Sequence, residues 1–270
     1  MSSPNISFDN IPSSIRKPGQ YFEFNTKLAV RTLPANAQKV LIVAPMLASG
    51  SLEPLVATSV FSGDEAAVYF GYGSIAHLMV VAAINTYSYL DLTVIGVSDA
   101  SAGVAAAGTL TITGPASSQG VVSLWIGNTR VDVAVSAADT ATEIAAAMKT
   151  AIDNQPELPV TAAVLAGVLT LTAKNKGAAG NDIRLRAQTT ASGTTTAVVG
   201  MASGATDPDI APALANVVAA GHNIIVSPFC TQTTLTALRT YLDFVYGPME
   251  QRGAVGVAGW PGTLAAGTPL

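Results

Sequence analysis

The chain has 270 residues, of which 49% are hydrophobic and only 11% are charged, against about 25% charged residues in a typical soluble domain. Its net charge is −4 and its Lys and Arg residues form no cluster, which argues against nucleic acid as a partner, because nucleic-acid-binding proteins neutralise phosphates with basic side chains. The apolar runs are far shorter than the roughly 20 residues that span a bilayer, so we expect no transmembrane helix and no membrane partner.

The first 37 residues predict an extended N-terminal arm. Pro4, Pro12, Pro18 and Pro34 favour extended backbone interrupted by turns over helix. The polar start has no signal-peptide pattern, so we expect synthesis in a cytoplasm. An arm with so little apolar surface of its own is expected to become ordered only against a neighbouring subunit. Its predicted contact residues are Ile6, Phe8, Ile11, Tyr21, Phe22 and Phe24.

Strand and helix patterns alternate after the arm. Residues 40–44 read as a buried strand, a helix begins near Ser62, and Ser74 caps a second helix that runs to about Tyr87. Residues 90–97 read as another buried strand. The order predicts a β-α-β unit.

The composition changes to Thr, Val, Ala and Gly between about residues 100 and 203. A helix capped by Asp139 or Thr140 is expected to run to about Asn154 and to cover a small sheet. We therefore predict an inserted, β-rich α+β domain over residues 99–203, hinged near 98–100 and 203–205. Its predicted strands are 109–113, 121–126, 130–135, 160–165 and 168–172.

The α/β pattern resumes after the insert. A helix is predicted from Asp207 to about Ala220, and a second helix from Thr231 or Thr234. The predicted strands are 223–226 and 254–258. Together with the earlier unit they predict a discontinuous α/β core domain, 38–98 and 204–270, with a mainly parallel sheet. Because closing elements are missing after the last strand, we expect this core domain to be truncated.

The residues offer little support for catalysis. His77 and His222 are the two histidines, and a catalytic triad would pair one of them with Ser227 and with Asp91 or Asp209. No serine lies in a Gly-x-Ser-x-Gly elbow. We predict structural histidines, no catalytic residue and no enzyme.

Binding sites for cofactors or metals are equally unsupported. The stretch 71–74, Gly-Tyr-Gly-Ser, precedes a helix, but it lacks the Lys-Ser/Thr ending of a phosphate loop. The two histidines have no Cys or acidic partner at zinc-ligand spacing. The lone Cys230 is expected to be a small buried hydrophobe. We predict no cofactor and no metal.

The arm carries the most specific motif. Residues 6–25, Ile-Ser-Phe-Asp-Asn-Ile-Pro-Ser-Ser-Ile-Arg-Lys-Pro-Gly-Gln-Tyr-Phe-Glu-Phe-Asn, resemble the N-terminal signature of Mu-like contractile phage tail sheath proteins. Further segments are similar to the same family in the same order, so the resemblance spans essentially the whole chain. They are 31–36, 71–74, 89–92, 158–162 and 173–181.

This resemblance implies a subunit of six-membered rings, stacked around an inner tail tube, that polymerises in an extended state and contracts to drive the tube through the host envelope. It implies a virion tail protein assembled in the bacterial host cytoplasm. The implied partners are further copies of the chain, the inner tail tube protein, and the baseplate and tail terminator proteins. It implies no catalytic residue. Family members are longer at the C-terminus.

Two other functions stay open at this point. A virion surface or adhesion module would be favoured if residues 100–203 alone bound a carbohydrate or receptor. An α/β hydrolase-like enzyme would require a catalytic triad, which the residues do not support.

Overall fold

The computed structural model describes residues 16, 18–20, 38–87 and 89–260. The chain divides into two units, Met1–Ala37 and Gln38–Leu270, and the described helices and strands belong to the second. The arm residues predicted to make subunit contacts lie outside the described residues. They are Ile6, Phe8, Ile11, Tyr21, Phe22 and Phe24.

The described part of the chain contains twelve strands and five α-helices. The strands are β1 (Lys39–Met46), β2 (Ala57–Ser59), β3 (Asp91–Ser98), β4 (Ala105–Thr113), β5 (Gly120–Ile126), β6 (Thr129–Val135), β7 (Val160–Leu165), β8 (Val168–Lys176), β9 (Leu185–Thr189), β10 (Thr195–Ala202), β11 (Ile224–Ser227) and β12 (Val255–Ala258). The helices are α1 (Gly63–Phe70), α2 (Ile75–Thr86), α3 (Ala141–Asp153), α4 (Ala211–Val217) and α5 (Gln232–Tyr246), with short 3₁₀ turns at Ala178–Asp182 and Val218–Ala220.

A mainly parallel sheet forms around β1, in the order β12-β11-β1-β3-β2. β1 pairs in parallel with β3 on one side and β11 on the other, β12 is parallel to β11, and the short edge strand β2 is antiparallel to β3. Every residue of β1 except Lys39 is buried. A central strand covered on both faces explains the continuous apolar run from which it was predicted. The α/β fold class is confirmed.

Helices cover both faces of this sheet. α1 and α2 pack on the face that contains Ile42 and Leu92. α4 and α5 pack on the opposite face, which contains Leu41 and Ile225. The chain crosses from β1 to β3 in one direction and from β3 back past β1 to β11 and β12 in the other. Right-handed crossovers in opposite directions place their helices on opposite faces.

The helix starts follow their capping residues. Ser62 Oγ accepts a hydrogen bond from Glu65 N at 3.2 Å, and Ser74 Oγ accepts one from His77 N at 3.1 Å. Thr140 Oγ1 accepts from Glu143 N at 3.3 Å, while Glu143 Oε2 accepts from Thr140 N at 2.8 Å. Each satisfies backbone donors that a helix start leaves unpaired. These three predicted starts are confirmed.

The segment between β3 and α4 forms two antiparallel sheets, β10-β4-β8-β7 and β6-β5-β9. α3 packs against strands of both sheets. Its predicted inward face is confirmed, because Ile144, Met148 and Ile152 are each at most 2% exposed and share one core with Leu124 and Leu171.

Three strands and one helix boundary differ from the prediction. β2, β9 and β10 were not predicted: β2 has only three residues, and the register of β10 shifts between Val199 and Ala202. The helix predicted from Asp207 begins at Ala211. Asp207 is held elsewhere, because its Oδ1 accepts a hydrogen bond from Ala178 N at 2.7 Å.

The connections at both ends of this segment are tied together. Val104 N donates to Ala205 O at 3.0 Å and Ala205 N donates to Val104 O at 3.1 Å. Asn181 and Gly204 exchange two hydrogen bonds through the Asn181 side chain, at 2.8 and 2.9 Å. A freely bending hinge would lack these bonds. The division into a discontinuous core domain and an inserted domain stays a prediction.

Candidate functional site at the carboxyl edge of the parallel sheet

Parallel α/β sheets usually bind ligands at the carboxyl ends of their strands. In this chain β1, β3 and β11 end at Met46, Ser98 and Ser227, which places these residues at one edge of the sheet. Any chemistry of an α/β enzyme is expected there. The groups found at this edge therefore decide what the site can do.

The end of β8 fills part of this edge. Asn175 is 3% exposed, and its Nδ2 donates hydrogen bonds to Met46 O at 3.2 Å and to Asp99 Oδ1 at 3.1 Å. Its Oδ1 accepts from Ile75 N at 3.0 Å. One buried amide therefore joins the end of β1, the residue after β3 and the first turn of α2.

Asp99 is engaged on both carboxylate oxygens. Its Oδ1 accepts from Asn175, and its Oδ2 accepts from Lys176 N at 2.9 Å. Each oxygen of the Asp99 carboxylate therefore makes a hydrogen bond to the end of β8.

The Gly-Tyr-Gly-Ser stretch, residues 71–74, lies next to Asn175 and against the chain at Pro156 and Leu158. Gly73 has φ +77°, and a Cβ at this position would lie 2.3 Å from Leu158 O and 2.9 Å from Pro156 O. The helix start behind it is already occupied, because Ile75 N donates to Asn175 and His77 N to Ser74. A phosphate needs free backbone donors at such a helix start. The glycines serve close packing between two chain segments.

Lys174 links the Gly-Tyr-Gly-Ser stretch to the segment at Pro156. Its Nζ donates to Tyr72 O at 3.1 Å and to Pro156 O at 2.6 Å. Burial lowers the pKa of this ammonium group. Its donors are aimed at carbonyl oxygens of the chain, which makes Lys174 a cross-link between segments. We call this set, Gly73, Asn175, Asp99 and Lys174 with their hydrogen-bond partners, the motif junction.

His77 belongs to the same packing. It is 3% exposed, and its Nδ1 accepts a hydrogen bond from Gly73 N at 3.2 Å. Burial lowers its pKa, with opposing contributions from Glu157, which raises it, and Lys174, which lowers it. A histidine nitrogen can accept a hydrogen bond only when it carries no proton. Nδ1 of His77 is therefore unprotonated, and its hydrogen bond holds the Gly73 loop in place.

His222 and Ser227 lie at opposite ends of β11. His222 precedes β11 and Ser227 ends it, so the extended strand separates them by roughly 16 Å. A serine and its general base need hydrogen-bond contact. Burial lowers the pKa of His222, which is 5% exposed, and its Nδ1 has no hydrogen-bond partner among the described residues.

Cys230 follows β11 at the carboxyl edge and is half-buried. Burial raises the pKa of its thiol, and Asp182 and Asp207 raise it further. A nucleophilic cysteine needs a lowered pKa, because the thiolate is the reactive form. This environment opposes thiolate formation.

One open part of the edge is a cleft of about 500 Å³ between the loop that follows β1 and the start of the connection after β3. None of the described residues that line it is a histidine or a cysteine. The described part of the chain also holds no group of three or more His, Cys, Asp or Glu side chains placed to bind a metal ion. Within the same residues, no helix has the length and apolarity needed to span a bilayer.

The motif junction was not predicted as a unit. Three of the segments quoted for the family resemblance, 71–74, 158–162 and 173–181, meet there. The family resemblance pointed to these segments. The roles of Asn175 and Asp99, however, depend on a contact between residues 76 positions apart, which no local sequence pattern encodes.

Comparison with known proteins identifies one sequence relative. The chain is 35% identical over 251 residues to the Mu-like prophage FluMu tail sheath protein of Haemophilus influenzae, covering 91% of this chain and 52% of that protein. The chain thus spans about half the length of this relative. No family model matches the chain.

Two solved structures of sheath tail proteins are similar at low identity. One, from Listeria innocua, is 12% identical, with 84% of this chain and 48% of that chain covered and a TM-score of 0.30. The other, from Desulfitobacterium hafniense, is 17% identical, with 88% and 52% covered and a TM-score of 0.31. The identification therefore rests on the sequence relative. Over about half of that relative, the chain matches a Mu-like tail sheath protein, and the resemblance predicted from its motifs is confirmed.

Proposed function

We propose that this chain is part of the structural subunit of a contractile phage tail sheath. The subunit polymerises as stacked hexameric rings around the inner tail tube and contracts to drive the tube through the host envelope. The observation that carries this proposal is the 35% identity to a Mu-like tail sheath protein over 91% of the chain.

The geometry of the carboxyl edge supports a structural role. The groups that an enzyme would use there are bound to other parts of the chain: both Asp99 oxygens, the Lys174 ammonium group and the Asn175 amide. A subunit that transmits force needs its segments joined firmly. In such a subunit the energy of contraction resides in interfaces that are better buried in the second state, without a nucleotide.

The proposal assigns a role to each part of the chain. The arm, residues 1–37, links neighbouring subunits through Ile6, Phe8, Ile11, Tyr21, Phe22 and Phe24, because an extended segment can add to a neighbour's sheet. Residues 38–98 and 204–270 form the core domain, and residues 99–203 the inserted domain. The partners are further copies, the inner tube protein, and the baseplate and tail terminator proteins. The assembly takes place in the host cytoplasm and ends in the virion tail.

Electron microscopy of the whole protein that carries this chain, expressed with the tube protein of the same genome, tests the proposal. We expect tubes with sixfold rotational symmetry. Replacement of Ile6 and Phe8 by Asp is expected to abolish them, whereas Ser7→Asp, which adds one negative charge between them at a polar position, should leave tubes intact.

Two results would contradict the proposal. Monomers that leave the tube bare would argue against a sheath. Tubes that persist in the Ile6→Asp, Phe8→Asp variant would argue against the arm as the link between subunits.

A further inference from the structure

Three arginines surround Trp125 on the outer face of the three-stranded sheet β6-β5-β9. Trp125 on β5 is paired with Arg130 on β6 and with Arg186 on β9. Arg184 precedes β9 and lines the same cleft as Arg186 and Trp125. We call these four residues the arginine–tryptophan patch. It lies in the segment between β3 and α4, apart from the motif junction.

The indole ring is already in contact with two guanidinium groups. Arg186 Cζ lies 4.5 Å and Arg130 Cζ 5.3 Å from the Trp125 ring centroid, within the roughly 6 Å over which cations attract an aromatic face. The two arginines approach from the strands on either side of β5. The ring therefore positions the guanidinium groups, and its faces are occupied by them instead of being open for a ligand to stack.

Two of the three arginines of the patch lack a carboxylate partner among the described residues. Arg130 pairs with Asp132 at 2.7 Å, and its Nη2 donates to Ser123 Oγ at 3.1 Å. Arg184 and Arg186 are exposed and make no ion pair with any residue in the described ranges. Two unneutralised arginines side by side are notable in a chain with 17 acidic and 13 basic residues.

The space beside these arginines is large enough for side chains of a partner. A cleft of about 670 Å³ is lined by Trp125, Arg184 and Arg186, with Asn128 and Asn181 contributing amide groups. The planar guanidinium fork matches a carboxylate with two parallel hydrogen bonds. The Asn128 amide adds a further donor for the same oxygens, whereas the Asn181 amide is bound to Gly204.

We propose that the arginine–tryptophan patch is a docking site for an acidic protein segment, whose carboxylates bind Arg184 and Arg186. Charge complementarity favours this occupant, and the occupied indole faces disfavour a stacked sugar ring. This docking site is a proposal beyond the sheath function. The sheath function rests on the sequence relationship and does not depend on the docking site.

Fluorescence titration with hexaglutamate tests the site in the full chain. The chain has two tryptophans, Trp125 and Trp260, so Trp260→Phe leaves Trp125 as the only reporter. At low salt we expect a saturable change in fluorescence. Arg186→Gln or Arg184→Gln should weaken binding about tenfold or more, the magnitude of one lost hydrogen bond to a charged group. Raising the salt to about 0.5 M should weaken binding as well, because salt screens exposed charges.

Arg239→Gln is the matched control. It removes the same charge from an exposed position on α5, where Arg239 lies 3.9 Å from Asp243, and should leave hexaglutamate binding unchanged. Calorimetry on the unsubstituted chain gives the same affinity independently if Trp260→Phe lowers stability. Equal binding by the Arg186→Gln variant, or no saturable binding at low salt, would overturn the proposal. So would tight binding of a phosphorylated polysaccharide that hexaglutamate does not displace.

Discussion

Asn175 Nδ2 donates a hydrogen bond of 3.1 Å to Asp99 Oδ1, which joins the end of β8 to the residue that follows β3. The same amide also reaches Met46 O and Ile75 N. Asn175 itself is 3% exposed. The carboxyl edge of the parallel sheet is thereby fixed to the segment between β3 and α4.

Asn175→Ala should be strongly destabilising. The substitution leaves the buried Met46 carbonyl and the Ile75 amide without partners, and each unsatisfied buried polar group costs about 1–3 kcal/mol. We expect a loss of roughly 2–4 kcal/mol in the free energy of unfolding, measured by urea denaturation. Asn154→Ala, at an exposed position at the end of α3, is the control and should change the free energy of unfolding by less than about 0.5 kcal/mol. Equal effects of the two substitutions would show that the amide is not a structural link.

Gly73→Ala and Gly127→Ala separate backbone strain from close packing. Both glycines have positive φ, +77° and +60°, so each substitution adds a strain of about 1–2 kcal/mol. Only at Gly73 would the new Cβ collide with backbone, 2.3 Å from Leu158 O, whereas nothing lies within 4 Å of the position at Gly127. Thermal unfolding should therefore show a clearly larger loss for Gly73→Ala. Similar losses would mean that the Gly73 contact can relax.

Local patterns in the sequence were sufficient for the strands and helices with strong periodicity. β1 is a continuous apolar run because both of its faces are covered, and Ser62, Ser74 and Thr140 mark helix starts because their oxygens satisfy free amides. The start of α4 was misplaced because Asp207, which is typical of a helix start, binds Ala178 N instead. The motif junction could not be predicted in the same way, since its hydrogen bonds join residues far apart in the chain.

The stability of the protein should fall as the pH is lowered from about 7.5 to 5.5. Burial lowers the pKa of His222 below the ordinary value of 6.5, so below pH 6.5 the unfolded chain binds a proton that the folded chain does not. Stability is then lost with falling pH until the folded-state pKa is reached. His77, whose pKa burial also lowers, acts in the same direction. His222→Phe should show a smaller difference in urea midpoint between the two pH values. An unchanged difference would exclude His222 as a contributor.

Residues 38–260 should unfold in a single transition, because the segment between β3 and α4 is tied to the parallel sheet at several points. The ties are the Asn175 bonds to Met46 and Ile75 and the Lys174 bond to Tyr72. The chain carries natural probes of both regions: Trp125 lies on β5, and the single cysteine, Cys230, follows β11. In the Trp260→Phe background, the urea midpoint from Trp125 fluorescence should coincide with the midpoint from thiol labelling of Cys230, as two-state unfolding requires.

Asn175→Ala should move the two midpoints apart, because it removes the central tie without touching either probe. Separate midpoints in the chain with Asn175 intact would instead show that the two regions unfold independently and that the motif junction does not couple them.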